Sequence, residues 1–233
     1  MRMKHVGILI PAYKPDIQIV RLVKALSRYD FLNIIVVDDG SPEEFGELFS
    51  QLQNSGKITL LSHAVNLGKG AALKTGFNHF CLHHPNSVGL VTVDADGQHL
   101  IPDILKVANA LQENPKCLIL GSRQFDGAVP LKNRIGNLLT RLVLKCFLNI
   151  HLVDTQTGLR GMPTSLLHDL VKLESGRYEF EMDCIILSMR KFYKTIEVPV
   201  STVYIKDNSS PHFRTVRDSL RICFVILRFI GTS

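Results

Sequence analysis

The sequence predicts a mostly parallel α/β sheet with helices packed on both of its faces. In the first half of the 233-residue chain, short apolar runs of strand length alternate with segments of helical spacing. This alternation is typical of βαβ units, whose right-handed crossovers place helices on both faces of the sheet. Three of the predicted strands end in polar clusters, and ligands of such sheets bind outside the carboxyl ends of the strands. We therefore expect a ligand site at that edge.

The first half contains the clearest elements. The apolar runs predict strands over 6–10, 34–37, 58–61, 88–93 and 118–120. The helical spacing predicts helices over 17–26, 43–52, 70–80 and 102–111. Pro11 is expected to end the first strand, since proline cannot donate to a ladder. Pro102 suits the first turn of a helix, where its missing N–H has no intrahelical partner.

The regular alternation of strands and helices ends at about residue 121. We expect a long amphipathic helix over 132–149, a polar loop over 154–161, a segment entering a helix over 178–190, a strand over 196–205 and a last helix over 215–230. The chain shows no internal repeat, low-complexity segment or linker, so a single domain over 1–233 is expected.

Composition narrows the class of partner. The five cysteines are scattered and form no Cys-x-x-Cys pair, which favours reduced thiols in a cytosolic compartment over a disulfide framework or a zinc site. The N-terminus shows no separate apolar region of a signal peptide. The net charge is +6. Arginines of the second half lie among Leu, Ile and Phe residues, and the chain has no tryptophan. This pattern favours a membrane surface or a phosphorylated substrate over nucleic acid.

The most informative motif follows the fourth strand and reads Asp94-Ala95-Asp96-Gly97-Gln98. Residues i and i+2 of a strand point the same way, so the two carboxylates can converge just past its end. Two close carboxylates repel each other unless a cation lies between them, and oxygen ligands suit Mg²⁺ or Mn²⁺. The alternative is an ordinary strand ending in an Asp-Gly turn.

Two further clusters lie at predicted strand ends. Asp38 and Asp39 follow the second strand, where a carboxylate can accept hydrogen bonds from a base N–H or ribose hydroxyls. An N-cap and turn before the next helix is the alternative, and Ser41 suits it. Arg123 follows the fifth strand and brings a guanidinium that suits phosphate.

A glycine-rich helix start, Gly68-Lys69-Gly70, favours an anion, although it lacks the remaining signature of a Walker A loop. By itself it is a weak signal. The polar segment over 154–160 ends in a second arginine, Arg160, and is flanked by apolar sequence. An ordinary surface loop is the alternative reading of that segment.

Taken together, these motifs resemble the ordered motifs of a known protein family. Pro-Ala-Tyr, Asp-Asp-Gly-Ser, Asn-x-Gly-Lys-Gly, Asp-Ala-Asp-Gly-Gln-His, Gly-Ser-Arg and Thr-Gly-Leu-Arg occur here in the order of the family 2 glycosyltransferases of GT-A fold. The chain most resembles the polyprenyl-phosphate (dolichyl-phosphate) mannose and glucose synthases, over roughly residues 6–222. Each motif alone is weak, but the ordered set at fitting strand ends is specific.

The resemblance implies roles for individual residues. The donor nucleotide sugar would contact Pro11, Tyr13, Asp38, Asp39, Lys69, Asp94, Ala95 and Asp96. The Mg²⁺ or Mn²⁺ ion would be held by Asp94, Asp96 and Gln98. The acceptor phosphate would contact Arg123, Arg134, Thr157, Arg160 and Arg214. The catalytic residues would be Asp96, Arg123 and Asp183.

The implied reaction is an inverting hexosyl transfer from a nucleotide sugar of the GDP-mannose or UDP-glucose type to a polyprenyl phosphate. Transfer to a saccharide hydroxyl in cell-surface polysaccharide synthesis is the alternative. A hydroxyl acceptor would need a general base, for which Asp183 is the candidate, whereas an ionised phosphate needs none. The segment after Glu197 departs from the family pattern, in which basic residues at this place reach the donor phosphates. The candidates for that role here are Lys206, His212 and Arg214.

The resemblance also implies an organisation. Residues 1–123 would form the nucleotide-sugar half, 124–214 the acceptor half and 215–233 an amphipathic helix. We expect a cytoplasmic protein that is peripheral on the cytoplasmic face of a membrane. A packed core helix or a dimer interface is the alternative for each amphipathic segment, so a second copy of the chain or a separate membrane protein is a candidate partner.

Overall fold

A computed structural model describes residues 2–54, 58–123, 152–155, 157–177 and 179–201. The strands are β1 Arg2–Met3, β2 Val6–Ala12, β3 Asp30–Phe31, β4 Ile34–Asp38, β5 Ile58–Ser62, β6 Gly89–Thr92, β7 Cys117–Arg123, β8 Arg160–Pro163 and β9 Lys194–Val200. The helices are α1 Gln18–Leu26, α2 Gly46–Asn54, α3 Lys69–His83, α4 Ile101–Glu113, α5 Thr164–Leu170 and α6 Phe180–Arg190.

Seven of these strands form one sheet in the order β5-β4-β2-β6-β8-β7-β9. All paired neighbours run parallel except β8, which is antiparallel to both β6 and β7. The predicted class, a mostly parallel sheet with helices on both faces, is confirmed.

The sheet separates two apolar cores. Along β2, Leu9 packs in one core with α3, α5 and α6, while Ile8 and Ile10 pack in the other with α1, α2 and α4. Successive side chains of a strand point to opposite faces. A central strand that is covered on both faces is therefore apolar at nearly every position, which is why these strands read as continuous runs in the sequence.

The structure corrects two predictions about strand boundaries. Pro11 does not end the first strand: it lies inside β2 opposite Val37 of β4. Its missing N–H is tolerated because the pairing of β2 with β6 stops at Leu9. In the predicted loop over 154–161, Arg160 and Gly161 instead begin β8. The four residues of that strand show no apolar alternation, so no strand period was visible.

Other predictions remain partly outside the described residues. Helix α5 was not predicted from the sequence, because its seven residues are too few to display a helical period.

The last strand, β9, begins and ends earlier than the predicted 196–205, of which 202–205 lie outside the described residues. The amphipathic segments over 132–149 and 215–230 also lie outside them. In the described part of the chain, no helix is long and apolar enough to cross a membrane.

Asp39, directly after β4, holds the loop between β5 and α3. The carboxylate is buried, and its Oδ1 accepts from Leu67 N at 2.9 Å and faces His63 Nδ1 at 2.8 Å. Its Oδ2 accepts from Gly68 N at 2.8 Å and from Asn66 Nδ2 at 3.0 Å. One side chain thus fixes the backbone that leads into α3.

The start of α3 also packs closely against the segment before α6. Gly68 has a φ of +102°, and a Cβ there would lie 2.7 Å from the carbonyl oxygen of Gly176. A Cβ on Gly70 would lie 2.7 Å from Gly176 C. Ala71 N donates to that same Gly176 oxygen at 3.0 Å. The two glycines are therefore required for this close approach of two backbones.

The close contact between β6 and β8 predicts that a side chain at position 89 would destabilise the protein. A Cβ on Gly89 would lie 2.2 Å from the carbonyl oxygen of Met162, a backbone atom that cannot move without separating the strands. We expect Gly89→Ala to lower the free energy of unfolding by about 1–3 kcal/mol, as overpacked cores do. Urea unfolding followed by circular dichroism measures this change.

The matched control is Gly46→Ala, at the start of α2, where a Cβ would meet nothing within 4 Å. Because alanine is the better helix former, this variant should be at least as stable as the wild type. Equal urea midpoints for Gly89→Ala and the wild type would contradict the close approach of β6 and β8.

The Asp39 contacts predict a local effect of Asp39→Asn. Each carboxylate oxygen accepts one backbone N–H, and an amide keeps only one accepting oxygen. One buried donor is then left unsatisfied, which costs about 1–3 kcal/mol. We expect faster hydrogen exchange at the amides of Leu67 and Gly68. Asp30→Asn, which removes only an exposed ion pair with Lys4, should leave both amides protected. Unchanged protection in Asp39→Asn would refute this role.

Candidate active site

The predicted site residues meet at one edge of the sheet. Asp38 and Arg123 are the last residues of β4 and β7, and Asp94 follows the end of β6. Because β8 is antiparallel, it starts at this same edge, and it is preceded by the turn that carries Thr157. The carboxyl ends of three parallel strands, β4, β6 and β7, and the amino end of β8 therefore surround one region.

Asp94 sits between two basic groups. Its Oδ1 lies 2.6 Å from Lys69 Nζ, and its Oδ2 lies 3.3 Å from His99 Nε2. Burial alone would raise the pKa of Asp94, but Lys69 and His99 outweigh burial and hold that pKa well below its usual range. Gly158 leaves the space for this carboxylate, since a Cβ there would lie 2.2 Å from Asp94 Oδ2. Asp94 is thus ionised and closely enclosed.

Asp96 has the opposite electrostatic character. Burial and the nearby charge of Asp94 raise the pKa of Asp96 above its ordinary value. Its Oδ1 accepts from Gln98 N at 3.0 Å, and Gly97 between them has a φ of +73°. The glycine therefore makes the tight turn that holds Asp96 beside Asp94. Asp94 and Asp96 are thus neighbouring carboxylates, and the positive charge near Asp96 is too small to offset their repulsion. Such a pair favours an additional cation.

The donor set fits a hard divalent ion. Asp94, Asp96 and Gln98 offer oxygen atoms only, as Mg²⁺ or Mn²⁺ prefers. Among the described residues, no group of three or more His, Cys, Asp or Glu side chains surrounds one metal position. An ion here would take its other ligands from water and substrate phosphates, which is the usual situation for Mg²⁺.

Lys69 joins both sides of this region. Its Nζ lies 2.7 Å from Glu181 Oε1 of α6, in addition to its contact with Asp94. Burial alone would lower the pKa of Lys69, but the two carboxylates outweigh it and raise that pKa. Lys69 begins α3, where a positive charge opposes the helix dipole, so the carboxylates also offset that repulsion. Glu181 was not predicted as a site residue. Its place beside Asp183 in the Phe-Glu-Met-Asp segment was the available signal.

Arg123 is oriented by a buried carboxylate. Its Nε and Nη2 donate to the two oxygens of Asp154 at 2.5 Å and 3.0 Å, and Asp154 is 0% exposed. Glu197 of β9 fixes that loop in turn, because it accepts from the backbone N–H groups of Val153 and Asp154. A bidentate pair of this kind holds the guanidinium plane in one orientation. Asp154 and Glu197 were not predicted, because no local pattern links them to Arg123.

Arg160 has a different environment from the one expected. It is 2% exposed, and its guanidinium donates to the backbone carbonyls of Thr155, Thr157 and Glu181. To reach an acceptor phosphate, the guanidinium would have to give up these bonds. We propose that Arg160 is a positioning residue that ties the turn before β8 to the start of α6. Thr157 is also buried, and its hydroxyl accepts from Leu159 N at 3.2 Å.

The residues expected at the nucleoside lie around the ends of β2 and β4. Asp38 is half-buried, and its Oδ1 accepts from Ser41 N at 2.9 Å, while the Ser41 hydroxyl accepts from Lys14 N at 2.9 Å. Tyr13 is 36% exposed, and Lys14 Nζ lies 5.4 Å from its ring centre. Both oxygens of Asp39 are engaged by the loop, which leaves Asp38 as the more accessible carboxylate of the two.

The remaining predicted residues divide by location. Pro11 is half-buried within β2, and Ala95 is half-buried against the core between the two aspartates. Asp183 lies in the first turn of α6 and is 6% exposed, two positions after Glu181. Arg134 and Arg214, together with Lys206 and His212, lie outside the described residues. All of these site roles stay predictions.

Comparisons with known proteins identify the relatives of this chain. It is 30% identical over 220 residues to the UDP-N-acetylglucosamine–dolichyl-phosphate N-acetylglucosaminyltransferase of Methanococcus voltae, which covers 86% of each chain. It is 27% identical over 178 residues to the polyprenol monophosphomannose synthase of Mycolicibacterium smegmatis, covering 73% of this chain and 66% of the relative.

Solved structures show the fold. The glucosyl-3-phosphoglycerate synthase of Mycobacterium tuberculosis, in complex with Mn²⁺, UDP and phosphoglyceric acid, superposes with a TM-score of 0.75 at 16% identity, covering 97% of this chain and 78% of that one. The GT-A fold expected from the sequence is thereby confirmed. The profile described as Glycosyl transferase family 2 matches residues 7–170, which is more than half of the chain. This protein therefore belongs to glycosyl transferase family 2.

Proposed function

We propose that this enzyme transfers a hexose from a nucleotide sugar to a polyprenyl phosphate with inversion at the anomeric carbon. The observation that carries the proposal is the pair of carboxylates, Asp94 and Asp96, at the sheet edge where Lys69 and Arg123 also lie. Relatives named as dolichyl-phosphate and polyprenol transferases support this acceptor class.

For the donor, we propose that Asp38 and Tyr13 bind the nucleoside, and that Asp94, Asp96 and Gln98 hold the divalent ion at the diphosphate. A bound Mg²⁺ or Mn²⁺ would stabilise the negative charge that grows on the departing nucleoside diphosphate. Lys69 adds a positive charge at the same place, and its backbone position is fixed by the loop that Asp39 holds. Charges that are in place once the donor and the ion are bound need no further rearrangement as the leaving group departs.

For the acceptor, we propose that Arg123 binds the phosphate. Asp154 holds one edge of the guanidinium in a bidentate pair, so the group is oriented at the sheet edge, and the Arg123 side chain is 23% exposed. A phosphate monoester is already ionised near neutral pH and can attack the anomeric carbon without a general base. Asp183 then serves to position neighbouring groups on α6, whose first turn favours negative charge.

The membrane proposal rests on sequence and on acceptor class. One apolar segment contains Arg134, Arg141 and Lys145, and another contains Arg217 and Arg221. Basic residues among apolar ones are typical of helices that lie at a membrane interface. We propose that the enzyme binds peripherally to the cytoplasmic face, where a lipid-linked phosphate is presented.

Transfer of label into lipid tests the proposed reaction. The full chain is incubated with undecaprenyl phosphate and a panel of radiolabelled UDP- and GDP-hexoses, including UDP-N-acetylglucosamine, in the presence of Mn²⁺. We expect organic-extractable label from one donor, and none with EDTA. Asp96→Asn should lose at least about 100-fold in rate, the size of effect seen when transition-state charge stabilisation is removed.

Asp30→Asn is the matched control, because it removes an exposed carboxylate whose described partner is Lys4. It should keep the wild-type rate. Donor hydrolysis without labelled lipid would overturn the polyprenyl acceptor and would favour transfer to a saccharide hydroxyl.

Asp183→Asn separates the two acceptor classes. Loss of a general base typically costs about 10²–10⁴ in rate and removes one limb of the pH–rate profile. With a phosphate acceptor we expect a loss below about tenfold and a pH–rate profile of unchanged shape, because no proton is removed from the acceptor. Steady-state rates from pH 5.5 to 9 measure this. A loss of 100-fold or more with a flattened profile would instead assign Asp183 as a base.

A further inference from the structure

We propose that Lys69 is an internal competitor of the divalent ion for Asp94, and that Glu181 is the positioning residue that receives the Lys69 ammonium when the ion binds. The inference rests on the proposed metal site and goes beyond it, because it assigns a role to the Asp94–Lys69–Glu181 bridge. It is argued from three observations on these side chains.

The first observation is that the ammonium occupies the oxygen that a metal would use. Lys69 Nζ lies 2.6 Å from Asp94 Oδ1. A ligand oxygen of Mg²⁺ lies about 2.0–2.1 Å from the ion. An ammonium and a divalent ion on the same oxygen would be within a few ångströms of each other and would repel strongly. Binding of the ion through Oδ1 therefore requires Lys69 to move away.

The second observation is that the other oxygen of Asp94 has its own basic partner. Asp94 Oδ2 lies 3.3 Å from His99 Nε2. The backbone of Gly158 lies against the whole carboxylate, since a Cβ there would come within 2.2 Å of Oδ2 and 2.7 Å of Oδ1. Because Oδ2 is paired with His99, Oδ1 is the oxygen that can be exchanged between the ammonium and an ion.

The third observation is that the ammonium already has a second anionic partner. Lys69 Nζ lies 2.7 Å from Glu181 Oε1, and the Lys69 side chain is 23% exposed. Its backbone cannot follow a large displacement, because Gly68 N is held by Asp39 and the first turn of α3 packs against Gly176. A rotation of the side chain toward Glu181 is the shortest way to free Asp94 without leaving the ammonium unpaired.

The bridge therefore links the two halves of the site. Asp94 belongs to the donor side after β6, and Glu181 belongs to α6, which also carries Asp183. Without the ion, Lys69 neutralises part of the negative charge at Asp94 and so reduces its repulsion with Asp96. With the ion, the positive charge shifts toward α6.

Direct Mn²⁺ binding without any nucleotide tests this competition. The free ion is measured by electron paramagnetic resonance during titration of the full chain. Lys69→Met removes the competitor and should tighten Mn²⁺ binding by about tenfold, the scale of one charged hydrogen bond. Glu181→Gln removes the second partner and should weaken binding, because the ammonium then has only Asp94. Lys69→Gln is a second neutral variant in case the methionine variant does not fold.

The double variant separates competition from a simple change of charge. If Glu181 acts through Lys69, then Glu181→Gln in the Lys69→Met background should change Mn²⁺ affinity by less than about twofold. Lys172→Met controls for net charge, since Lys172 is exposed and pairs with Asp169; its affinity should equal that of the wild type.

Unchanged or weaker Mn²⁺ binding in both neutral Lys69 variants would overturn the inference, as would a Glu181→Gln effect that persists in the double variant. Absence of Mn²⁺ binding in every folded variant would overturn it as well. Transfer of sugar into lipid is measured separately, so failure of the competition leaves the proposed reaction standing, and failure of lipid transfer leaves the competition standing.

Discussion

The buried carboxylate of Asp39 is the interaction on which the site depends. It gathers Leu67, Gly68, Asn66 and His63 around two oxygens just after β4. A buried charge is tolerated when each of its oxygens accepts well-placed donors, and backbone N–H groups serve that purpose here. The same bonds fix where α3 begins. The position of Lys69, and through it the charge balance at Asp94, follows from that first constraint.

Charged side chains at the sheet edge are arranged in two groups. In one, Lys69 lies between Asp94 and Glu181. In the other, Asp154 holds Arg123 in a bidentate pair, and the Asp154 loop is fixed by Glu197 of β9. Charges removed from water are stable only when they are paired and hydrogen-bonded. Each group therefore pairs its carboxylates and orients one basic side chain at the sheet edge.

The antiparallel strand β8 brings these groups together. It lies between β6 and β7, so the turn before it reaches the carboxyl ends of the parallel strands. Gly158 in that turn makes room for Asp94, and Arg160 fastens the turn to α6 through backbone carbonyls. Small residues at the β8 contacts permit the close approach, since Gly89 lies directly against the Met162 carbonyl. A single reversed strand thus joins the first half of the sheet to the helix of Glu181 and Asp183.

The sequence by itself determined the fold class, the elements of the first half, and the strand ends at which Asp38, Asp94 and Arg123 lie. These follow from local patterns: strands buried on both faces read as apolar runs, and polar residues must begin where the strands leave the core. The ordered motifs were also sufficient to indicate the family. Tertiary structure alone decided which polar groups pair. It placed Asp39 and Arg160 inside the protein as anchors, and it brought Glu181, His99 and Asp154 to the residues that the motifs had identified. Pairing between residues up to 112 positions apart, such as Lys69 and Glu181, leaves no periodic or local signal. It arises only when the sheet order and the packing of α3 against the start of α6 set the distances.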